Sequence, residues 1–523
     1  MGQDAVRRHA AGEPRLPRRG VHMIARLDRL LGRVSMYLLV VGVLGTLSVV
    51  ALVLALTGVL FLDPLAILVS AVVLSAASLL ANQALGLLFR VRPSTASGVI
   101  TAQLLLFVLE PTLDPAGLVG LALAAAVAAA SKYLIAWRGR HLVNPAAAGA
   151  LVAGLAGLAF SSWWIGTLPM LPFVAVGALL ILWRTRRLGM GLGYLVVGTV
   201  ISTTVFAVNG LAVPGALVTV LGSTPLVFVA GFMLSEPLTL PPRRWQRMAY
   251  AVIVAVLSTV PYAIGTLRTT PEFALVVGGA LAFLVGQRRA VRLELVEKRQ
   301  LTATAWEFRF RPAAPVRFAA GQYLELTLPH ARPDRGGIRR VFSIASAPGE
   351  AELALGVRIR AQASSFKRAL LALEPGGRLR ATGVWGDFVL PRSASTRFAF
   401  VAAGIGITPF VSQLRALADA GRAADAELLY AVRAASELAY RDELAATGCR
   451  VSVLSPDDPG ALPDGWTWLG SDALSAELVH EAIPDAAART VYLSGAPSDV
   501  ARLRRALRAS GIRRIRTDVF LGY

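Results

Sequence analysis

A chain of 523 residues is long enough for about three domains, and 55% hydrophobic residues with a mean hydropathy of +0.60 are too apolar for a soluble protein of that size. The net charge of +21 is carried by arginine, since lysine occurs only at Lys132, Lys298 and Lys367; much of it sits between hydrophobic runs, where it orients helices in a bilayer, and no nucleic-acid-binding motif accompanies it, so nucleic acid is not an expected partner. One cysteine, Cys449, excludes an intrachain disulfide and an all-cysteine iron–sulfur cluster.

Residues 1–34 read as a basic cytoplasmic tail with Arg7, Arg8, Arg18 and Arg19. A spanning helix needs about 20 apolar residues. Ten runs qualify as candidates: 35–61, 64–89, 94–109, 115–137, 144–163, 168–184, 190–208, 214–234, 246–266 and 270–287. Loops after every second run hold Arg90/Arg92, Arg138/Arg140, Arg184/Arg186/Arg187, Arg243/Arg244/Arg247 and Arg288/Arg289/Arg292. The alternate loops hold acids or almost no charge. This bias predicts both termini on the cytoplasmic side of a bacterial membrane.

Polar residues within these runs are costly and therefore informative. They include Asn82, Gln83, Gln103, Lys132 and Ser202-Thr203-Thr204. Lys132 is expected to snorkel towards the cytoplasmic edge. No histidine falls in mid-span, which argues against the haem-ligating ferric reductases. Asn144-Pro145, followed by small residues to Gly149, predicts a capped helix that packs closely. The run Gly231-Phe-Met-Leu-Ser-Glu236-Pro closes the eighth segment.

Asn144-Pro145-Ala, followed later by Phe232-Met-Leu-Ser-Glu236-Pro, resembles the RnfD/NqrB family of membrane redox subunits. That resemblance implies two inverted five-helix halves over 35–287, a urea-transporter-like architecture, and a membrane flavin. The Ser-Gly-Ala-Thr motif that carries covalent FMN in the family is absent, so the flavin implied is noncovalent FMN or riboflavin near Asn144 and Glu236. No acid lies deep in a run, which argues against ion pumping.

From Val291 the pattern changes to short alternating runs. Residues 292–296, 304–310 and 322–328 read as antiparallel strands. Arg340 offers a cationic fork to a pyrophosphate. Phe342, two residues on, shares its strand face and can stack on an isoalloxazine. Ser343 can hydrogen-bond the flavin edge. Ser364 and Ser365 cap a short helix whose N-terminus suits a phosphate. Strand 397–403 runs into Gly404-Ile-Gly406-Ile-Thr408-Pro409, where the glycines allow close backbone approach to a phosphate. Arg433 exits a second strand, and Ser494-Gly495-Ala-Pro497 ends a third.

This ordered set resembles the ferredoxin–NADP reductase superfamily over nearly all of 291–523. The resemblance implies that Arg340, Phe342, Ser343, Ser364 and Ser365 bind FAD. It implies that Gly404, Gly406, Thr408 and Pro409 bind the nicotinamide dinucleotide. Ser494, Gly495 and Pro497 would edge the hydride-transfer site, with Asp518, Phe520 and Tyr523 near the flavin ring. Ser343, Ser494, Asp518 and Tyr523 are the candidate catalytic residues. Phe342 replaces a usual Tyr, and Ser494 stands where many members have Cys. Arg433 suits a 2′-phosphate but also occurs in NADH-using relatives, so NADH and NADPH stay open.

The expected fold is a polytopic α-helical membrane domain of about ten spans (35–287), then an antiparallel β-barrel FAD domain (290–392) and an α/β nucleotide-binding domain (397–523). The expected function is a membrane-bound oxidoreductase passing electrons between NAD(P)H, FAD and a membrane-domain acceptor, either flavin or quinone, or to another redox protein. No haem, iron–sulfur cluster or metal is expected. Competing readings are a redox-regulated transporter or channel, and a reductase merely anchored by its helices.

Overall fold

The computed structural model describes residues 36–90, 93–137, 140–236, 239–264, 267–285, 290–334, 337–391 and 396–520. The basic tail and Tyr523 lie outside them. Helices fill the N-terminal half: α1 (Met36–Leu56), α2 (Pro64–Leu88), α3 (Thr95–Val108), α4 (Pro115–Leu134), α5 (Pro145–Leu155), α6 (Leu171–Arg184), α7 (Leu188–Val208), α8 (Val213–Ser223), α9 (Arg244–Thr259) and α10 (Pro271–Val285). A bent continuation of α8 follows over Leu226–Met233. Three starts share one chemistry. Asp63, Asp114 and Asn144 each cap a helix whose first residue is Pro, the side-chain oxygen accepting an amide that the helix leaves without a partner.

The expectation of ten spans is corrected. Among the described residues only α1, α2, α4 and α7 are long and apolar enough to cross a membrane, and five segments are if α8 and its continuation, bent by 54°, count as one. The reason is visible at the third and fifth runs. Helix α3 stops at Val108, and α5 gives way to a turn at Gly157, where φ is +69°. The chain beyond α5 folds back, so that Trp163 N donates to Val108 O (2.9 Å) and Glu110 N to Phe160 O (2.9 Å). The indole of Trp164 donates to Leu106 O at 2.7 Å. Apolar chain that is not helical reads like helix in hydropathy.

Small residues let these helices approach. A Cβ on Gly149 would lie 2.3 Å from Ala124 O, and one on Gly231 would lie 2.3 Å from the Ala178 methyl. Close backbone contact of this kind is what holds helices together where apolar burial gives no advantage over lipid.

The C-terminal half begins with β1 (Val291–Gln300), β2 (Ala305–Pro312), β3 (Tyr323–Thr327), β4 (Arg339–Ser343), β5 (Leu353–Arg358), helix α11 (Ser365–Leu371) and β6 (Arg378–Trp385). Its six antiparallel strands run β4-β3-β6-β1-β2-β5, and an Ile344–Leu355 bridge joins the two edges into a barrel. Phe308, Phe310, Leu324 and Leu355 fill it. There follow β7 (Phe398–Ala403), α12 (Thr408–Asp419), β8 (Ala426–Ala431), β9 (Arg450–Leu454), β10 (Trp466–Trp468), β11 (Thr490–Gly495), α13 (Pro497–Ala509) and β12 (Ile515–Val519). These strands form a wholly parallel sheet in the order β10-β9-β8-β7-β11-β12. The central strand β7 (Phe-Ala-Phe-Val-Ala-Ala) is continuously apolar because both its faces are covered.

The two halves touch. Asp387, just beyond β6, accepts from the amide of Arg244 (2.8 Å) and the guanidinium of Arg247 (3.2 Å) at the start of α9.

Candidate functional site

The β3–β4 register pairs Leu326 with Arg340, Leu324 with Phe342 and Tyr323 with Ser343. Arg340 and Phe342 therefore share the buried face, while Val341 points out. The Arg340 guanidinium donates to Asp334 Oδ1 at 3.2 Å and lies 5.5 Å from the Phe366 ring centre. The other oxygen of Asp334 accepts from the amide of Ser365 at 2.7 Å. Ser365 Oγ in turn accepts from the Asp334 amide (2.9 Å) and lies 3.0 Å from His330 Nε2. Ser364 caps α11, accepting from the Lys367 amide.

A carboxylate thus stands between Arg340 and Ser365, two of the donors assigned to a pyrophosphate. Other cations crowd the same place. Burial, then repulsion by Arg340, Arg360 and Arg358, pushes the Lys367 ammonium down to about 8. Arg340, Arg358, Arg360 and Lys367 outnumber the two acids paired with them, Asp334 on Arg340 and Glu437 on Arg358, and this surplus of cations suits a dianionic diphosphate, so the residues present fit the phosphates of FAD. Phe342 is buried against Phe366, ring centres 5.9 Å apart, and Ser343 is buried beside it.

The second cluster lies at the carboxyl ends of β7 and β11, where open parallel sheets bind ligands. Gly404 has φ +56° and turns the chain out of β7. A Cβ on Gly406 would lie 2.6 Å from Ser494 O and 2.9 Å from Gly495 Cα, so only glycine lets the two loops meet. Ser494 is buried, and its hydroxyl has no hydrogen-bond partner among the described residues. Thr408 and Pro409 open α12 and are buried, the Thr408 hydroxyl donating to Ile405 O at 2.7 Å. Pro497 opens α13. Arg433 is exposed beyond β8.

Ser494 pairs in register with Asp518, and Phe520 N donates to Gly495 O at 2.9 Å. Burial pushes the Asp518 carboxyl up to about 6. Asp518 lies within electrostatic range of Tyr323, which also faces Arg187 and Arg247 of the helical half. The barrel, the sheet and the helices converge here.

The third cluster lies in the helical half, around a partly open cavity of about 80 Å³. Asn144 spends both ends of its amide locally, accepting from Ala147 N and donating to Met233 O, each at 3.1 Å. His141 Nδ1 and Glu236 Oε1 are 3.0 Å apart. The Lys132 ammonium donates to Thr101 Oγ1 (2.7 Å), Ser97 O (3.1 Å) and Ser97 Oγ (3.2 Å), near the start of α3.

Sequence reasoning missed Asp334, Lys367 and the partner roles of His141 and Asp387. Asp334 sits in a Pro-Asp-Arg-Gly run, which signals only a turn. His141 and Glu236 are 95 positions apart, with nothing local to pair them.

The family model of the oxidoreductase NAD-binding domain matches residues 400–457. Ferredoxin–NADP reductase B of Sorangium cellulosum is 37% identical over 163 residues, covering 31% of this chain and 65% of that protein. The stachydrine N-demethylase reductase subunit Stc4 of Rhizobium meliloti is 34% identical over 133 residues, covering 25% of this chain and 36% of that protein. The crystal structure of the Amycolatopsis cytochrome P450 reductase GcoB aligns with 44% of this chain and 70% of its own, at 25% identity and a TM-score of 0.38. The chain spans less than two thirds of each of the two curated relatives. The family match and those relatives, with the parallel sheet and its glycine turn, make the C-terminal half an oxidoreductase module similar to ferredoxin–NADP reductases, which suits FAD and NAD(P)H.

Proposed function

We propose that this chain is a membrane-bound flavoprotein oxidoreductase that takes electrons from NAD(P)H and passes them to an acceptor in its helical half. Arg340, Ser364 and Ser365 hold the FAD phosphates, Phe342 and Ser343 flank its ring, and Gly404, Gly406 and Arg433 receive the dinucleotide. FAD held there would supply the chemistry of taking a hydride, two electrons at once, and releasing the electrons singly. Ser494 and Asp518 line the transfer site. One observation carries the reading: Gly406 brings the dinucleotide turn against Ser494 and Gly495, whose register partner Asp518 faces the helical half through Tyr323.

A membrane location is supported by the spanning-length helices and by apolar residues left exposed on them. Leu65, Leu68, Val72, Leu80 and Leu87 all project from α2, more than a water-facing helix leaves open. The arginine-rich turn before α9 touches the reductase half. That contact agrees with a cytoplasmic reductase under the positive-inside rule.

The names of the relatives favour a second reading, in which a separate oxygenase component or ferredoxin takes the electrons. Purified full-length chain separates the two readings. Extracted FAD, bleaching by NAD(P)H and membrane fractionation test the first. Reoxidation that requires an added protein partner would favour the second.

A further inference from the structure

We propose that α13 and the turn after it form a docking face for the anionic phospholipid headgroups of the bilayer around the helical half. The inference rests on the proposed membrane location and adds the surface by which the nucleotide-binding domain meets that membrane. Residues 500–517 hold seven arginines and no acid. Helix α13 buries Val500, Leu503 and Leu507 against the parallel sheet. Arg502, Arg505 and Arg508 leave from the other side of the helix and are exposed, and the exposed Arg513 and Arg514 follow before β12.

The charge of this face is not neutralised within the chain. None of the seven arginines makes an ion pair among the described residues. Arg502 donates to Leu474 O (3.1 Å), Arg505 to Ala501 O (3.2 Å) and Arg516 to Asp387 O (3.5 Å), all of them neutral carbonyls. Arg504 Nε is buried and has no hydrogen-bond partner among the described residues. Burial, then repulsion by Arg508 and Arg244, holds the Arg504 guanidinium below its ordinary value. Like charges gathered in this way add their fields, and an external anion is the partner they lack.

Position selects the anion. Arg244, within electrostatic range of Arg504, is the first residue of α9 in the helical half. Its Nη2 lies 3.7 Å from where a Cβ on Gly189 would stand, in the first turn of the spanning-length helix α7. The α13 face therefore continues into the arginine-rich edge of the helices. Trp245, next in the chain, is 63% exposed. An exposed tryptophan among arginines at the end of membrane helices belongs at headgroup level. Arginine clusters on an amphipathic helix beside a membrane segment bind anionic lipid. A soluble acidic protein would account for the arginines but not for their continuity with the helix ends.

The test is hydrogen–deuterium exchange of the full-length chain in nanodiscs of phosphatidylcholine, alone or with about 30% phosphatidylglycerol. Peptides within 498–514 should exchange at least threefold more slowly with phosphatidylglycerol. Raising salt from about 0.1 to 1 M, where the Debye length falls from about 10 to 3 Å, should remove the difference. The combined Arg502→Glu, Arg505→Glu and Arg508→Glu variant should also lose it, with its thermal midpoint unchanged because all three side chains are exposed. Arg378→Glu, on the barrel, should keep it. Equal exchange in the two lipids, or protection in the triple variant, would overturn the docking face while leaving the membrane location standing. A chain that enters neither disc would overturn both. Protection of the same peptides by an added acidic ferredoxin, and not by phosphatidylglycerol, would reassign the face to a protein partner.

Discussion

Asp387 and Arg244 stand 143 positions apart, yet the carboxylate of the first accepts the backbone amide of the second at 2.8 Å. An acid from the reductase half thereby caps a helix of the other half, and Arg247 closes on its second oxygen. Caps of this kind contribute about 1 kcal/mol, and the anion also lies at the positive end of the helix dipole. The contact fixes the barrel over the helices rather than merely tethering it.

Asp387→Ala should therefore loosen the two halves. Electron transfer to a membrane acceptor should fall several-fold while NAD(P)H-driven ferricyanide reduction persists, and limited proteolysis between 286 and 290 should speed up. Equal loss of both electron-transfer rates would mean that Asp387 serves the reductase fold itself.

Gly406→Ala places a methyl 2.6 Å from Ser494 O, against backbone that cannot swing aside. The strain should cost about 1–3 kcal/mol. Flavin content should survive, and kcat/KM for NAD(P)H should drop at least tenfold. Steady-state kinetics on flavin-normalised protein reads the result; wild-type kinetics would remove this turn from the dinucleotide site.

Arg340→Met removes the cation opposite Asp334. A charge-assisted hydrogen bond contributes about 1.5–3 kcal/mol, so FAD affinity should weaken by roughly 10- to 100-fold. Arg340→Lys should restore part of it, since lysine keeps the charge but loses the planar fork. Fluorescence titration of released flavin measures the change. Full flavin retention in the Met variant would place the phosphates elsewhere.

How much of this was legible in the sequence depends on the range of the interaction. The cap at Asn144 is local, three residues from Ala147, and follows from side-chain chemistry alone. The turn at Gly404–Gly406 announces itself because glycine is needed where φ is positive or backbones meet. Hydropathy gave the helical half but overcounted its spans, because the returning segment from Gly157 to Trp164, with exposed Leu158 and Phe160 and buried Trp163 and Trp164, extends the apolar run of α5 without being helical. Asp334 and the His141–Glu236 pair were invisible, since Ser365 lies 31 positions from Asp334 and Glu236 lies 95 from His141, and Lys367 was missed because nothing local marks its ammonium as buried among arginines.

Asp518 predicts a pH dependence. Burial raises its carboxyl from 3.8 to about 6. Between those values the folded protein holds a proton that the unfolded chain has lost. Stability therefore falls as pH rises through that window and levels off above it, by a total of about 3 kcal/mol. Asp518→Asn should raise the thermal midpoint at pH 7 and flatten its slope between pH 4 and 6. An unchanged slope would assign the titration to another group.

The most direct measurement is anaerobic addition of NADH or NADPH to the detergent-purified full-length chain, followed by a short-chain quinone, with flavin absorbance recorded throughout. The account predicts an oxidised flavin spectrum that bleaches on adding one of the nucleotides and returns with the quinone, with no second protein present. A chain that carries no flavin, or a flavin that neither nucleotide bleaches, would contradict it.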